Sequence, residues 1–359
     1  MKIMHIVGNR PQFIKLALLH KELSLRDAPG IVLHTGQHFD ENMSDIFFSQ
    51  LRIPSPKHFL SINRMSHNVM IGNMLIQIDQ ILGKEKPALV IVYGDTNSTL
   101  AGALATCKRN IALAHVEAGI RTGNALMPEE SNRYLTDRMA NYNFCCTYQG
   151  VKNLEQEGFG PNGNGPRIYN TGDLMLDATL SFAKMASERP AILKGTGLPG
   201  NFVLASIHRE ENRENPDYLR NIILALNSIH VETPVLMPVH PKTKDLLRKY
   251  AIETSFTVLE PLGYLDMLSL LQKCSSVITD SGGLSREAFF MRKPTLVIMQ
   301  FPFWPELFIH GNCARSDAQT EDILRKHQGL LETNRSFDIN IFGDGHAAEK
   351  ISDAIVSAF

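Results

Sequence analysis

Residues 88–119 read ALVIVYGDTNSTLAGALATCKRNIALAHVEAG, and this stretch decides the fold. The runs 88–93 and 111–116 are almost continuously apolar. That is the pattern of strands buried on both faces of a parallel sheet, not of half-exposed strands. Between them, residues 96–107 begin with Thr and Asn and lack Pro, as a crossover helix does. Strand, helix and strand in that order make a βαβ unit, which requires a parallel sheet.

Working outward, further strands are predicted at 2–7 and 31–35. Helices are predicted over 11–23, 43–51, 67–82, 128–140 and 147–157, with a last strand at 167–170 and a helix over 174–186. The Gly- and Pro-rich stretch 189–200 reads as a linker. The alternation then restarts, with strands at 202–207, 234–238, 256–259, 276–279 and 295–299. Helices lie over 216–228, 264–274, 283–291 and 346–359. The expected fold class is α/β, with two Rossmann-like, doubly wound parallel sheets. In such sheets ligands bind beyond the carboxyl ends of the strands.

Composition narrows the function. The chain has 359 residues, 43% of them hydrophobic, with 36 Lys+Arg against 37 Asp+Glu and a formal charge of −1. A nucleic-acid binder driven by bulk positive charge is excluded, so no nucleic-acid partner is expected. Five cysteines without CxxC or Cys/His ligand spacing argue against a disulfide framework and a structural zinc site. No run approaches the roughly 20 apolar residues that span a bilayer, and the N-terminal apolar run is too short for a signal peptide. A soluble, cytoplasmic protein without a membrane partner is expected.

The strand ends carry the chemistry. Asp280-Ser281-Gly282-Gly283 follows a strand and opens a helix, so Asp280 or Ser281 is positioned to cap it and the backbone N–H groups to meet an anion. Glu287, one turn on, suits a ribose diol better than a phosphate. Arg10 and Lys15 lie beyond the first strand, in GNRPQFIK, which is neither a dinucleotide fingerprint nor a P-loop. Asp95 follows the strand 88–93, where its bland role is a helix N-cap. Glu117 follows the strand 111–116 and precedes a Gly, which packing alone explains poorly. Glu129 and Glu130 follow Pro128 at a helix start, and Glu129 and Arg133 are spaced for an ion pair. His208 and His240 follow strands of the second half. No metal-ligand triad and no GxSxG elbow occurs. Carboxylates in one half with His and an anion turn in the other indicate acid/base work on a phosphorylated ligand.

Ten segments carry a resemblance. They are GNRPQFIK, HTGQH, YGDTNSTLAGALA, HVEAGIRTGN, MPEESNR, NTGDLMLDA, IHREEN, PVHP, EPLGYLDML and DSGGLSREA, in order from residue 8 to 288. With them the chain resembles the non-hydrolysing UDP-N-acetylglucosamine 2-epimerase family, of GT-B architecture. The resemblance implies an N-terminal domain over 1–172, a UDP-binding domain over 173–345 and a helix over 346–359 returning to the first domain, with the ligand in the interdomain cleft. It implies Asp95, Glu117, Glu129 and His208 as catalytic. Arg10, Lys15, Arg133, His240, Ser281, Gly282, Gly283 and Glu287 become substrate-binding residues. It further implies a homodimer, no metal and no nicotinamide or other cofactor. Gln37 and His38 lie where a second substrate molecule would touch.

The implied reaction interconverts UDP-GlcNAc and UDP-ManNAc by anti elimination of UDP to 2-acetamidoglucal and re-addition. Two departures bear on the sugar: HREEN stands where HRREN is usual, and MQFPFWPELFIHG lacks an Arg near the phosphates, with Trp304 there instead. GNRPQFIK, TGQHFDENMSDIFF and EAFF look closest to the branch acting on UDP-2,3-diacetamido-2,3-dideoxyglucuronate. The rival readings are a hydrolysing epimerase, a GT-B glycosyltransferase and a non-catalytic nucleotide-sugar binding protein.

Overall fold

The computed structural model describes residues 1–37, 48, 50–160, 165–188, 201–301, 303–332, 336–337 and 340–359. The expected linker 189–200 lies outside them, as does the helix over 43–51 apart from residues 48, 50 and 51. The chain forms two compact units, Met1–Ala178 with Asn340–Phe359, and Thr179–Ile339. The boundaries expected from sequence were 172/173 and 345/346.

Unit 1 is built on a seven-stranded parallel sheet. Its strands are β1 (Ile3–Val7), β2 (Gly30–His34), β3 (His58–Phe59), β4 (Leu89–Tyr93), β5 (Ala112–Ala118), β6 (Tyr142–Cys145) and β7 (Arg167–Asn170). Their order is β3-β2-β1-β4-β5-β6-β7. All five residues of β1 and all five of β4 are buried, as central strands covered on both faces must be. Side chains of β1 and β4 pack with Met70, Met74, Ile78 and Leu82 of the helix His67–Glu85. The chain winds outward from β1 in both directions, so the switch point lies between β1 and β4.

Unit 2 repeats the plan with six parallel strands, β8 (Val203–Ser206), β9 (Val235–Pro238), β10 (Thr257–Leu259), β11 (Ser276–Thr279), β12 (Thr295–Ile298) and β13 (Cys313–Ser316). The order β10-β9-β8-β11-β12-β13 puts its switch point between β8 and β11. The helix Ala347–Val356 belongs to unit 1. Its start is held by Asp177, which accepts from Ala348 N at 2.8 Å, and Arg26 Nε reaches Asp353 at 2.8 Å.

Several elements differ from the sequence reading. β3, β6 and β13 were not expected, nor were the helices Pro241–Lys249 and Thr320–Glu332. β5 also runs on through Glu117 to Ala118 instead of stopping before it.

Candidate functional site

The two switch points are where the candidate residues gather, each within its own unit. In unit 1, Gln12 joins the loops that leave β1 and β4. Its Oε1 accepts from Gly8 N at 2.7 Å, and its Nε2 donates to Tyr93 O at 2.7 Å and to Thr96 Oγ1 at 3.0 Å. Asp95 follows at the β4 end but is not the helix cap expected of it. Thr96 takes that role, accepting from Thr99 N. The Asp95 carboxylate instead receives Arg133 Nε at 3.0 Å and Nη2 at 2.7 Å on one oxygen, and its carbonyl receives Asn132 Nδ2 at 2.8 Å. The other carboxylate oxygen has neither contact, and the side chain keeps 29% exposure.

β4 and β5 pair in register, Tyr93 opposite Val116, so Asp95 and Glu117 leave neighbouring strand ends. Glu117 is not beyond the strand, as its sequence position implied. It sits inside β5, where the pairing with β6 slips between Val116 and Ala118, and its φ is +75°. A non-glycine residue in that region is strained, and a bulge re-aims the side chain that carries it. Glu117 pairs with Lys15, a lysine only 3% exposed on the helix Arg10–Ser24. Gly119 follows with φ +79°, where a Cβ would collide with Gly150 O.

The helix Pro128–Met139 completes this cluster, and it is built inside out. It buries Asn132, Arg133, Thr136 and Asp137, while Tyr134 and Leu135 face solvent. Arg133 does not pair with Glu129, although the spacing allowed it. It goes to Asp95 and, through Nη1 at 2.7 Å, to Glu130. Arg133, expected as a ligand contact, is 1% exposed and pairs with Asp95 and Glu130. Glu130 also accepts from Thr122 N and Oγ1 and from Gly123 N. Burial opposes its charge, but those donors and Arg133 hold its pKa below the usual carboxylate value. Glu129 makes no hydrogen bond or ion pair among the described residues and is half-buried. Glu130 is thus a structural acid and Glu129 an unengaged one, a distinction the sequence did not show.

In unit 2 the same topological position is arranged differently. Asp280 does not cap its helix. Ser281 does, accepting from Leu284 N at 3.2 Å. Asp280 is fully buried and reaches across from β11 to the loop after β8, where it accepts from His208 N at 3.1 Å, Arg209 N at 3.0 Å and Asn212 Nδ2 at 3.1 Å. Its Oδ1 lies 3.3 Å from His208 Nδ1, and the His208 side chain remains 50% exposed. Ser281, Gly282 and Gly283 are all half-buried at the start of the helix Gly282–Phe290, and Glu287 is buried on it. Phe303 packs against Gly282 and lies under Arg209, whose guanidinium is 4.5 Å from the ring centroid. Trp304 takes Arg286 at 4.0 Å in the same way.

His240 is exposed and caps the helix Pro241–Lys249 through Nδ1, which accepts from Lys242 N at 3.2 Å. Arg10 opens the helix Arg10–Ser24. Gln37 accepts from Ser98 N and Oγ, and His38 lies outside the described residues. The sequence reading missed Gln12, His115, Asp137 and the role of Asp280. The one signal for the second and third is a polar residue where an apolar position was due, in the strand Ala112–Ala118 for His115 and on the inner stripe of the helix Pro128–Met139 for Asp137.

The architecture permits proton transfer by carboxylates in unit 1 and anion capture at a helix start in unit 2. Comparison with known proteins places the chain. A family model described as UDP-N-acetylglucosamine 2-epimerase matches residues 22–356. The UDP-2,3-diacetamido-2,3-dideoxy-D-glucuronate 2-epimerase of Pseudomonas aeruginosa is 41% identical over 98% of this chain and 99% of its own. The UDP-N-acetylglucosamine 2-epimerase of Methanocaldococcus jannaschii is 34% identical over 98% of each chain. The crystal structure of the M. jannaschii UDP-GlcNAc 2-epimerase in complex with UDP-GlcNAc and UDP superposes with a TM-score of 0.91, covering 99% of this chain and 100% of that one. The α/β fold with two parallel sheets is of the GT-B type. No described helix is long and apolar enough to cross a membrane.

Proposed function

Because this chain belongs to the UDP-N-acetylglucosamine 2-epimerase family, we propose that it inverts C2 of a UDP-2-acetamido sugar, interconverting UDP-GlcNAc and UDP-ManNAc. The observation that carries the reading is the pair of carboxylates at the β4 and β5 ends. Asp95 is held by buried Arg133 and Glu117 by buried Lys15 at a strained bulge. Such fixed, partly desolvated acids suit proton transfer at one carbon.

The chemistry requires them. C2 adjoins no carbonyl, so its proton is not acidic in the ground state. As the C1–O bond to UDP breaks, positive character at C1 acidifies it. One carboxylate takes the C2 proton, the C–H electrons form the C1–C2 double bond, and UDP leaves with the C1–O pair. Re-addition with protonation from the opposite face gives the epimer. Asp95, Glu117 and Glu129 serve as acid and base, and His208 assists the departing diphosphate. Ser281, Gly282 and Gly283 supply backbone donors to that diphosphate, with Arg10 and His240 as further contacts, and Glu287 takes the ribose. Lys15 and Arg133 act through the carboxylates. A homodimer belongs to the same proposal and is read by light scattering.

A second reading is favoured by one observation, the 41% identity to the diacetamido-glucuronate enzyme. Its substrate differs at C3 and C6, while the reaction at C2 is the same. Proton NMR in deuterated water, with UDP-GlcNAc and UDP-2,3-diacetamido-2,3-dideoxyglucuronate side by side, tests both. Deuterium at C2 of an epimerised UDP-sugar supports the reaction, and the faster substrate chooses between the readings. Free UDP as the main product, or turnover only with an acceptor, overturns it.

A further inference from the structure

We infer that His115, gripped between Asp137 and the backbone of Gly94, is a positioning residue that holds Asp95 and Glu117 in one fixed relation. The inference rests on the proposed role of those two carboxylates. His115 lies in β5, two residues before Glu117, and is fully buried. Its Nδ1 is 2.6 Å from Asp137 Oδ1 and its Nε2 is 2.7 Å from Gly94 O. Gly94 immediately precedes Asp95. The other oxygen of Asp137 accepts from Gly119 N at 3.2 Å, two residues after Glu117, and from Arg121 Nη1 at 2.8 Å. One imidazole and one carboxylate therefore join the backbone beside both acids.

The bridge has a definite proton count. A carbonyl oxygen only accepts, and a carboxylate beside Arg121 is an acceptor too. Both ring nitrogens of His115 then donate, and both carry protons. Arg121 also donates to Glu157 through Nε at 2.7 Å and Nη2 at 2.9 Å. The set His115, Asp137, Arg121 and Glu157 is thus two cations and two anions, which is what allows charge to stay in this buried place.

The bridge also borders a strained residue, Glu117, flanked by two glycines in the same left-handed region. Gly94, Glu117 and Gly119 all have positive φ, at +63°, +75° and +79°. Sparsely populated conformations persist only when the surroundings over-determine them. Two of these three residues are hydrogen-bonded directly to the bridge, and the third lies between His115 and Gly119 in the chain. Its loss would let the Glu117 bulge relax toward an ordinary dihedral, untie the Gly94 carbonyl beside Asp95, and carry the carboxylates off their target.

The test is His115→Gln and Asp137→Asn in the full chain, with turnover followed by NMR and UDP affinity by calorimetry. Misplacement by about 1 Å costs on the order of 10²-fold. We expect kcat to fall roughly 10- to 100-fold, with KM and UDP affinity kept, and free UDP to rise as a share of product. A kcat within about threefold of wild type, or kcat and UDP affinity lost together, overturns the inference. Because these variants risk failing to fold, ¹⁵N-histidine NMR of the wild-type protein gives a second reading. It should show one imidazole with both ring N–H protons protected from exchange, and its absence overturns the inference as well. A wild type that epimerises no UDP-sugar sinks the proposed function instead, and the ring protons remain measurable either way.

Discussion

At the β1/β4 switch point of unit 1, acids are clamped by buried cations, Glu117 by Lys15 and Asp95 by Arg133. At the β8/β11 switch point of unit 2, the same topological place presents an exposed His208 and a half-buried Ser281-Gly282-Gly283 turn. There the buried carboxylate, Asp280, is turned inward onto the backbone of His208 and Arg209. One fold thus suits the two demands of the proposed reaction. Proton transfer to carbon needs side chains fixed to a fraction of an ångström. Diphosphate capture needs accessible backbone N–H groups, which the helix start supplies without bespoke side chains.

The contrast breaks most sharply on the acids. Glu117→Gln and Asp95→Asn should each lower epimerisation roughly 10²–10⁴-fold while UDP affinity stays near wild type. Calorimetric titration with UDP beside the rate assay checks this, and affinity lost in step with rate would erase the division between units. Next in size is the buried cation. Lys15→Met removes from Glu117 the buried cation it pairs with, which should cost about 3–5 kcal/mol in denaturant unfolding. A loss below about 1 kcal/mol would mean that the pair is solvated.

Backbone strain sharpens the comparison within unit 1. Gly119→Ala must find room against Gly150 O as well as hold φ +79°, whereas Gly94→Ala meets nothing within 4 Å at φ +63°. The second should cost about 1–2 kcal/mol and the first clearly more. Equal melting temperatures for the two would contradict the close approach.

Acid should separate the units further. Burial, with the nearby His20, depresses His5 to about 3, and burial depresses His34 to about 4, both in unit 1. His327 in unit 2 is likewise lowered to about 4 by burial. Unfolded histidines bind protons below about pH 6.5 while these folded ones do not, so the stability they contribute is full above that pH. It drains as pH falls from 6.5 toward 4, by up to about 1.4 kcal/mol per pH unit for each group. Denaturant curves at pH 7.5 and 5.5 should show the larger loss in unit 1, and His5→Phe should flatten it. The smallest effect is optical. Trp304 is the single tryptophan and stacks on Arg286 of the helix that Ser281 caps, so UDP should shift its emission by a few nanometres at most. No change on saturation would separate that ring from the anion turn.

How much of this was legible in the letters follows from what each element buries. Strands such as Leu89–Tyr93 announce themselves because both faces are covered and every residue is apolar. Tyr142–Cys145 and Cys313–Ser316 do not, since they are four residues long and carry Asn143 and Arg315. The helix Pro128–Met139 was found from Pro128, but its direction of burial was not. Apolar periodicity assumes a greasy inner face, and this helix turns Arg133 and Asp137 inward. The Glu129–Arg133 pairing failed for the same reason, because a buried guanidinium takes the partners the sheet end offers.

The sequence by itself determined the two parallel α/β units, the strand ends that carry Asp95, Glu117, His208 and Ser281, and the family. These follow from local periodicity and short motifs, which neighbouring residues encode. Tertiary structure alone decided that Glu117 sits on a bulge, that Lys15 and Arg133 serve carboxylates, and that Asp280 serves His208. It also decided that His115 binds the two acid-bearing loops together. Each of those is a contact between residues tens of positions apart, or a dihedral imposed by such contacts. Burial sets their energies by removing water as the competing partner, and no residue's own identity carries that information.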